Sequence, residues 1–200
     1  SVTVNIIPVN DVPTFVASET TAIYTPGEDP VSLFSNSYSD PVEADQNFSV
    51  LNLQITNVAE PSLEEIELDG VLIPLSTVST NTTNVSSIAI TNNSNTYTVS
   101  MTFTSGIASS TLNTLIDGIK YHYVSAFSND SSLDRNIAIT HLEDTGADNN
   151  TISSTLTVSS TIRLTPEVFI SVSDNSLIGS ETTTVTFSLT ASPTAFTSSD

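Results

Sequence analysis

Hydrophobic residues in this chain recur at every second position, and that period constrains the fold more than any other feature. Val2, Val4 and Ile6 alternate with Thr3 and Asn5. Leu51, Leu53 and Ile55 alternate with Asn52, Gln54 and Thr56, and Val185, Phe187 and Leu189 with Thr186 and Ser188. Successive side chains of a strand point to opposite faces, so each run predicts a strand with one buried face and one wet face. The wet positions are filled mostly by Thr and Ser, of which there are 31 and 33 in 200 residues. Thr is β-branched and suits a pleated surface, so this hydroxyl load indicates folded strands rather than disorder. Clusters of turn formers separate the strands at residues 8–13, 25–30, 39–41, 147–150 and 174–175. Many short strands with such punctuation predict an all-β, antiparallel β-sandwich. One segment departs from the period. Leu112, Leu115, Ile116 and Ile119 recur at spacings of three and four, which predicts one short helix within residues 110–120, ending near Gly118. Residues 62–65 read as the start of a further short turn.

Charge narrows the function. There are 22 Asp plus Glu against 3 Lys plus Arg, a net charge of −19. A nucleic-acid backbone must be neutralised by Lys and Arg, so that class of partner is excluded. An anionic membrane surface repels such a chain, and no apolar run approaches the ~20 residues of a membrane span. The absence of Cys excludes disulfides, zinc–thiolate sites and a Cys nucleophile. The first residues, Ser1-Val2-Thr3-Val4, have neither the basic start nor the apolar stretch of a signal peptide.

The two ends look incomplete. The strand run Val2 to Ile7 is followed at once by a Pro-Val-Asn-Asp-Val-Pro linker, with nothing local to pair with. Near the other end, Pro166 opens a run of Val168, Ile170 and Val172, a turn at Asp174-Asn175, and the run from Val185 to Leu189. Two such strands are too few for a stable independent sheet. The expectation is a piece of a longer array; the sharper reading is completion by a neighbouring molecule.

Several stretches, in this order, resemble the cadherin-like repeats found in tandem in very large bacterial surface adhesins. Val9-Asn10-Asp11-Val12-Pro13-Thr14 resembles the linker joining successive repeats. Residues 24–33 resemble their first hairpin, and residues 39–58 their acidic loop and following strand. Residues 112–123, 134–140 and 143–146 resemble the helix, the Tyr strand, the Arg-led strand and the acidic turn. From Thr165 onward, residues 168–174, 179–182 and 185–189 resemble the opening of a bacterial immunoglobulin-like repeat. The resemblance implies three parts: residues 1–10 as the last strand of a preceding repeat plus linker, 11–163 as a cadherin-like sandwich, and 164–200 as a partial immunoglobulin-like module. It also implies calcium at the junctions. Relatives usually carry a Glu where this chain has Pro26, with Glu28 or Asp29 as substitutes. Residues 77–96, rich in Asn, Ser and Thr, look like an insertion or a decorated hairpin.

Strand direction in an up-and-down sandwich decides which loops share a pole. The linker enters at one pole, the first strand runs away and the second returns. Asp40, Glu43 and Asp45 then fall beside Asp11, and the strand from Asn136 to Leu142 ends there too, presenting Glu143, Asp144 and Asp148. Calcium takes six to eight oxygens, chiefly from carboxylates and carbonyls. These seven acids, Asp11, Asp40, Glu43, Asp45, Glu143, Asp144 and Asp148, are therefore the expected metal ligands, and calcium the expected cofactor.

Other chemistry has less support. The acids of residues 60–69 lack the spacing of a calcium loop and read as a solvated face. His122 and His141 have no zinc-ligand spacing, and His122 faces away from Tyr121 and Tyr123. No Gly-x-Ser-x-Gly elbow supports a serine triad, and no Gly-rich loop cradles phosphate. A glycosidase pair of carboxylates normally sits among aromatics, yet there is no Trp here, and the five Tyr read as core or rim. Asn-x-Ser/Thr sequons occur at Asn47, Asn81, Asn84, Asn92, Asn129 and Asn149. Arg135 reads as an ion pair or backbone tether. The expected function is therefore non-catalytic: an extracellular structural or adhesive repeat of a large cell-surface stalk, stiffened by calcium. The expected partners are neighbouring repeats or other copies of the protein, with cell-surface glycans or proteins beyond them. The alternatives are a filament or surface-layer subunit assembled by strand complementation, and a carbohydrate-binding module.

Overall fold

A computed structural model describes residues 9–124, 134–152, 158–164, 168–173 and 182–189. The strand run Val2 to Ile7 lies outside the described residues, as does the sequon at Asn129. After the linker come β1 (Thr14–Glu19), β2 (Thr21–Tyr24), β3 (Val31–Ser32) and β4 (Phe34–Asp40). They are followed by β5 (Phe48–Thr56), β6 (Glu64–Leu68), β7 (Val71–Pro74), β8 (Ser79–Thr80), β9 (Ser87–Asn93) and β10 (Thr96–Ile107). The helix α1 (Ser109–Asp117) leads to β11 (Lys120–Tyr123), β12 (Asp134–Asp144), β13 (Thr151–Ile152) and β14 (Ser159–Leu164). Finally β15 (Val168–Val172) and β16 (Val185–Leu189) pair with each other.

The protein is all-β with one short helix, in a sandwich-like arrangement. One sheet has eight strands, ordered β2-β14-β12-β5-β10-β9-β8, with β13 paired to β12. A four-stranded sheet, β3-β11-β6-β7, supplies the facing surface, and β1 pairs with β4. Alternation decides what fills the space between. Leu51, Leu53 and Ile55 of β5 are fully buried, as are Val99 and Met101 of β10 and Ile137 and Ile139 of β12. They join Ile66, Leu68, Tyr121 and Tyr123 from the smaller sheet in one hydrophobic cluster. Tyr24, Tyr97, Tyr121 and Tyr123 are core, whereas Tyr38 is 56% exposed.

The expected helix is present. It buries Leu112, Leu115 and Ile116 and lies along the outer edge of β4. There it covers a strand edge, because Asp117 Oδ1 accepts the Ser37 backbone N–H at 2.9 Å and Asn113 O accepts the Ser37 hydroxyl at 2.9 Å.

One expectation changes. Residues 24–33 do not form a hairpin: β2 runs parallel to β14 in the large sheet, while β3 pairs with β11 in the small one. The connecting loop is held across the sandwich, with Gly27 N–H donating to Tyr123 O at 2.8 Å and the Tyr24 hydroxyl to Glu28 O at 2.7 Å. Residues 77–96 do form hairpin pairings, β8 with β9 and β9 with β10, but as part of the large sheet. They form β8, β9 and the turn into β10, and bury Val85, Ile88 and Ile90 at the end of the large sheet.

Candidate functional site

Strand pairing brings the linker and two acidic loops to one pole. Thr14 of β1 lies opposite Asp40 of β4, so the residues before β1 sit beside the loop after β4. Asp144 of β12 lies opposite Phe48 of β5, so the loop after β12 reaches the same place. The two loops are bonded: Thr145 N–H donates to Asn47 O at 2.8 Å, and Asn47 N–H to Thr145 Oγ1 at 3.2 Å.

The seven expected acids are used unequally. Asp144 is 1% exposed, and its Oδ1 accepts Gly146 N–H at 2.7 Å. Glu43 Oε1 accepts Asp11 N–H at 3.0 Å, so Asp11 contributes its backbone while its side chain is exposed. Asp148 is exposed and contributes its carbonyl, which accepts the Asn10 amide. Asp40 closes its own turn, with Oδ1 accepting Val42 N–H at 2.9 Å and Oδ2 accepting the Tyr38 hydroxyl at 3.2 Å. Asp45 is exposed. Glu143 pairs with the Asn150 amide at 3.1 Å and approaches His141 at 3.5 Å.

A β-bulge accounts for the difference between Glu143 and Asp144. Arg135, Ile137 and Ile139 face inward at odd positions of β12. The register shifts between Ile139 and His141, after which Leu142 and Asp144 face inward at even positions. An inserted residue re-aims every side chain beyond it. Without the bulge, Glu143 would be buried and Asp144 would face water.

Burial of Asp144 has an electrostatic consequence. Desolvation pushes its carboxyl pKa above the ordinary 3.8, and the nearby charges of Glu43 and Glu143 push the same way. The hydrogen bond from Gly146 N–H and the nearby Asn10 side chain oppose the shift without cancelling it. Three buried side-chain oxygens here have no hydrogen-bond partner: Glu43 Oε2, Gln46 Oε1 and Asp144 Oδ2. Buried polar atoms are normally satisfied, so acceptors such as these are met by an ordered water or by a cation. The sequence reading missed Gln46, because an amide oxygen carries no charge to reveal it.

Among the described residues, no group of three or more His, Cys, Asp or Glu side chains is arranged to hold a metal ion. A cage made only of carboxylates is therefore not the fit. The unpartnered oxygens belong to two carboxylates, Glu43 and Asp144, and one amide, Gln46. All are hard oxygen ligands of the kind calcium accepts.

The acidic residues 60–69 are not the solvated face expected from sequence. β6 takes a place inside the small sheet, and Glu64 occupies an inward position with 0% exposure. Arg135, equally buried in the facing sheet, donates to Glu64 from Nε at 2.7 Å and Nη2 at 3.1 Å. The Tyr121 hydroxyl donates at 2.8 Å, and the backbone N–H groups of Ala59 and Glu60 each donate at 3.2 Å. Burial, with Glu64 beside it, raises the Tyr121 pKa well above 10.0, so this hydroxyl stays a donor. Outside the core, Glu65 pairs with His122 at 2.8 Å and Glu67 with Lys120 at 2.9 Å. Asp69 accepts the Asn84 N–H at 2.8 Å and its amide at 2.7 Å. This region is a structural network. Arg135 makes the expected ion pair, and His122 faces away from the buried Tyr121 and Tyr123 as expected.

Against known proteins, no family model, no curated protein and no solved structure matches this chain.

Proposed function

We propose that the chain is a non-catalytic repeat segment of a large extracellular stalk or adhesin, cadherin-like in its sandwich, with calcium stabilising the two loops at the pole where the linker meets it. One observation carries the reading. Glu43, Gln46 and Asp144 hold unpartnered buried oxygens at the pole where the linker is docked. A bound divalent cation would supply the positive charge those oxygens lack and would tie the two loops together. The chain's own part is to hold the acceptors: β12 aims Asp144 inward, Gly146 N–H orients its carboxylate, and Asp11 N–H orients Glu43. A net charge of −19 suits a saline setting in which cations screen the surface.

Isothermal titration of the chelated protein with calcium tests the reading. Saturable binding, lost in Asp144→Asn and retained in Asp45→Asn, supports it. Absence of heat beyond the ionic-strength control would leave the acids as surface charge and loop closures. For the filament alternative, β15 and β16 pair only with each other among the described residues, whereas two other edges are less available. β7 ends on Pro74, which has no N–H to offer, and β4 is covered by α1.

A further inference from the structure

We infer that the linker is latched to the sandwich by Asn10, seated against Gly146, and that this latch holds without any cation. The inference concerns the same pole as the proposed calcium site but does not depend on calcium being bound there.

Asn10 precedes β1, yet its polar atoms are spent on two distant loops. Its side-chain amide donates to Asp148 O. Its Oδ1 accepts the Gln46 amide, and its backbone O accepts the Asn149 amide at 3.1 Å. Beside it, Asp11 N–H donates to Glu43 at 3.0 Å. One residue therefore joins the linker to both loops at once, from sequence separations of 36 and 138 residues. All these bonds are between protein groups. Asn10 is therefore a positioning residue.

Gly146 makes the seat. A Cβ added there would lie 2.6 Å from Asn10 Oδ1 and closer still to the amide carbon and nitrogen. Gly146 is not among the residues with positive φ. An alanine is therefore tolerated by the local backbone, and its cost falls on the Asn10 amide, which must leave. The receiving loop is fixed independently of the linker: Asp144 N–H donates to Asn150 O at 2.9 Å, and the Asn150 amide to Gly146 O at 3.1 Å.

NMR relaxation of the whole chain in excess chelator, on wild type, Gly146→Ala, Asn10→Ala and the double variant, tests the latch. In wild type, the amides of residues 9–12 are expected to show order parameters near the ~0.85 of rigid backbone. In Gly146→Ala and in Asn10→Ala they are expected to fall below ~0.6, with the strand resonances unmoved. Because Gly146→Ala acts through Asn10, the double variant is expected to lose no more order than Asn10→Ala alone. Low order in chelated wild type overturns the latch, as does a Gly146→Ala linker as rigid as wild type. So does additive loss in the double variant, which would show Gly146 acting on its own loop. A calcium titration of the same samples separates the two ideas. A rigid chelated linker with no response to calcium upholds the latch and removes the calcium reading, whereas a linker that orders only on adding calcium does the reverse.

Discussion

At the scale of the residue, Asp144 holds the tension of the linker pole. Its raised pKa fixes a sign. The stabilising contribution of a group with a raised folded-state pKa is present in full below the unfolded value and is lost as pH rises through the folded value. Above about pH 4, the ionised Asp144 therefore costs the cation-free protein stability. Asp144→Asn keeps the Oδ1 acceptor for Gly146 N–H and removes the charge. In chelator at neutral pH the variant should melt above wild type, with the gap shrinking as pH is lowered toward 4; with calcium the order should reverse. Thermal melts across pH check both. Val42 offers a second, independent test. It adopts φ 76° although β-branched, and it is 47% exposed. Asn tolerates this left-handed region far better than Val. Val42→Asn should gain about 1 kcal/mol in denaturant unfolding, since the side chain buries little.

At the scale of the element, the two-residue period made the strands legible and left their irregularities hidden. Leu51, Leu53 and Ile55 could be assigned to one buried face from sequence because β5 is regular there. The fate of Glu143 and Asp144 could not, because it depends on a one-residue bulge between Ile139 and His141 that leaves no trace in composition. The same limit applies to β6. Glu64, Glu65 and Glu67 look like a wet acidic run until Arg135 and Tyr121, remote in sequence, supply the donors that let Glu64 turn inward. Burying an ion pair is a weak source of stability, but breaking one leaves an uncompensated charge. Arg135→Ala should therefore destabilise by about 3–5 kcal/mol in denaturant titration. Combining Arg135→Met with Glu64→Gln should cost less than the sum of the two single changes. Additivity would show that the pair does not act as a unit.

At the scale of the whole molecule, the sandwich separates two kinds of carboxylate. Glu64 is satisfied within the core by protein donors, while the linker pole carries buried oxygens without partners beside exposed acids. A net charge of −19 adds self-repulsion that added salt of any kind relieves, so a specific cation effect must exceed the effect of ionic strength. The convergence of the linker with the loops after β4 and β12 was legible in the sequence, because strand direction alone sets it. The choice among the acids was not, because it rests on the bulge, the Asn10 contacts and a neutral Gln46. The most direct test of the account is the melting temperature of the purified chain in millimolar calcium against chelator at matched ionic strength. Ligand at ~100-fold its Kd adds about 2.7 kcal/mol, which in a protein of this size is a rise on the order of 5–10 °C. The account predicts that rise in wild type and its absence in Asp144→Asn. Equal melting temperatures with calcium and chelator in wild type would contradict it.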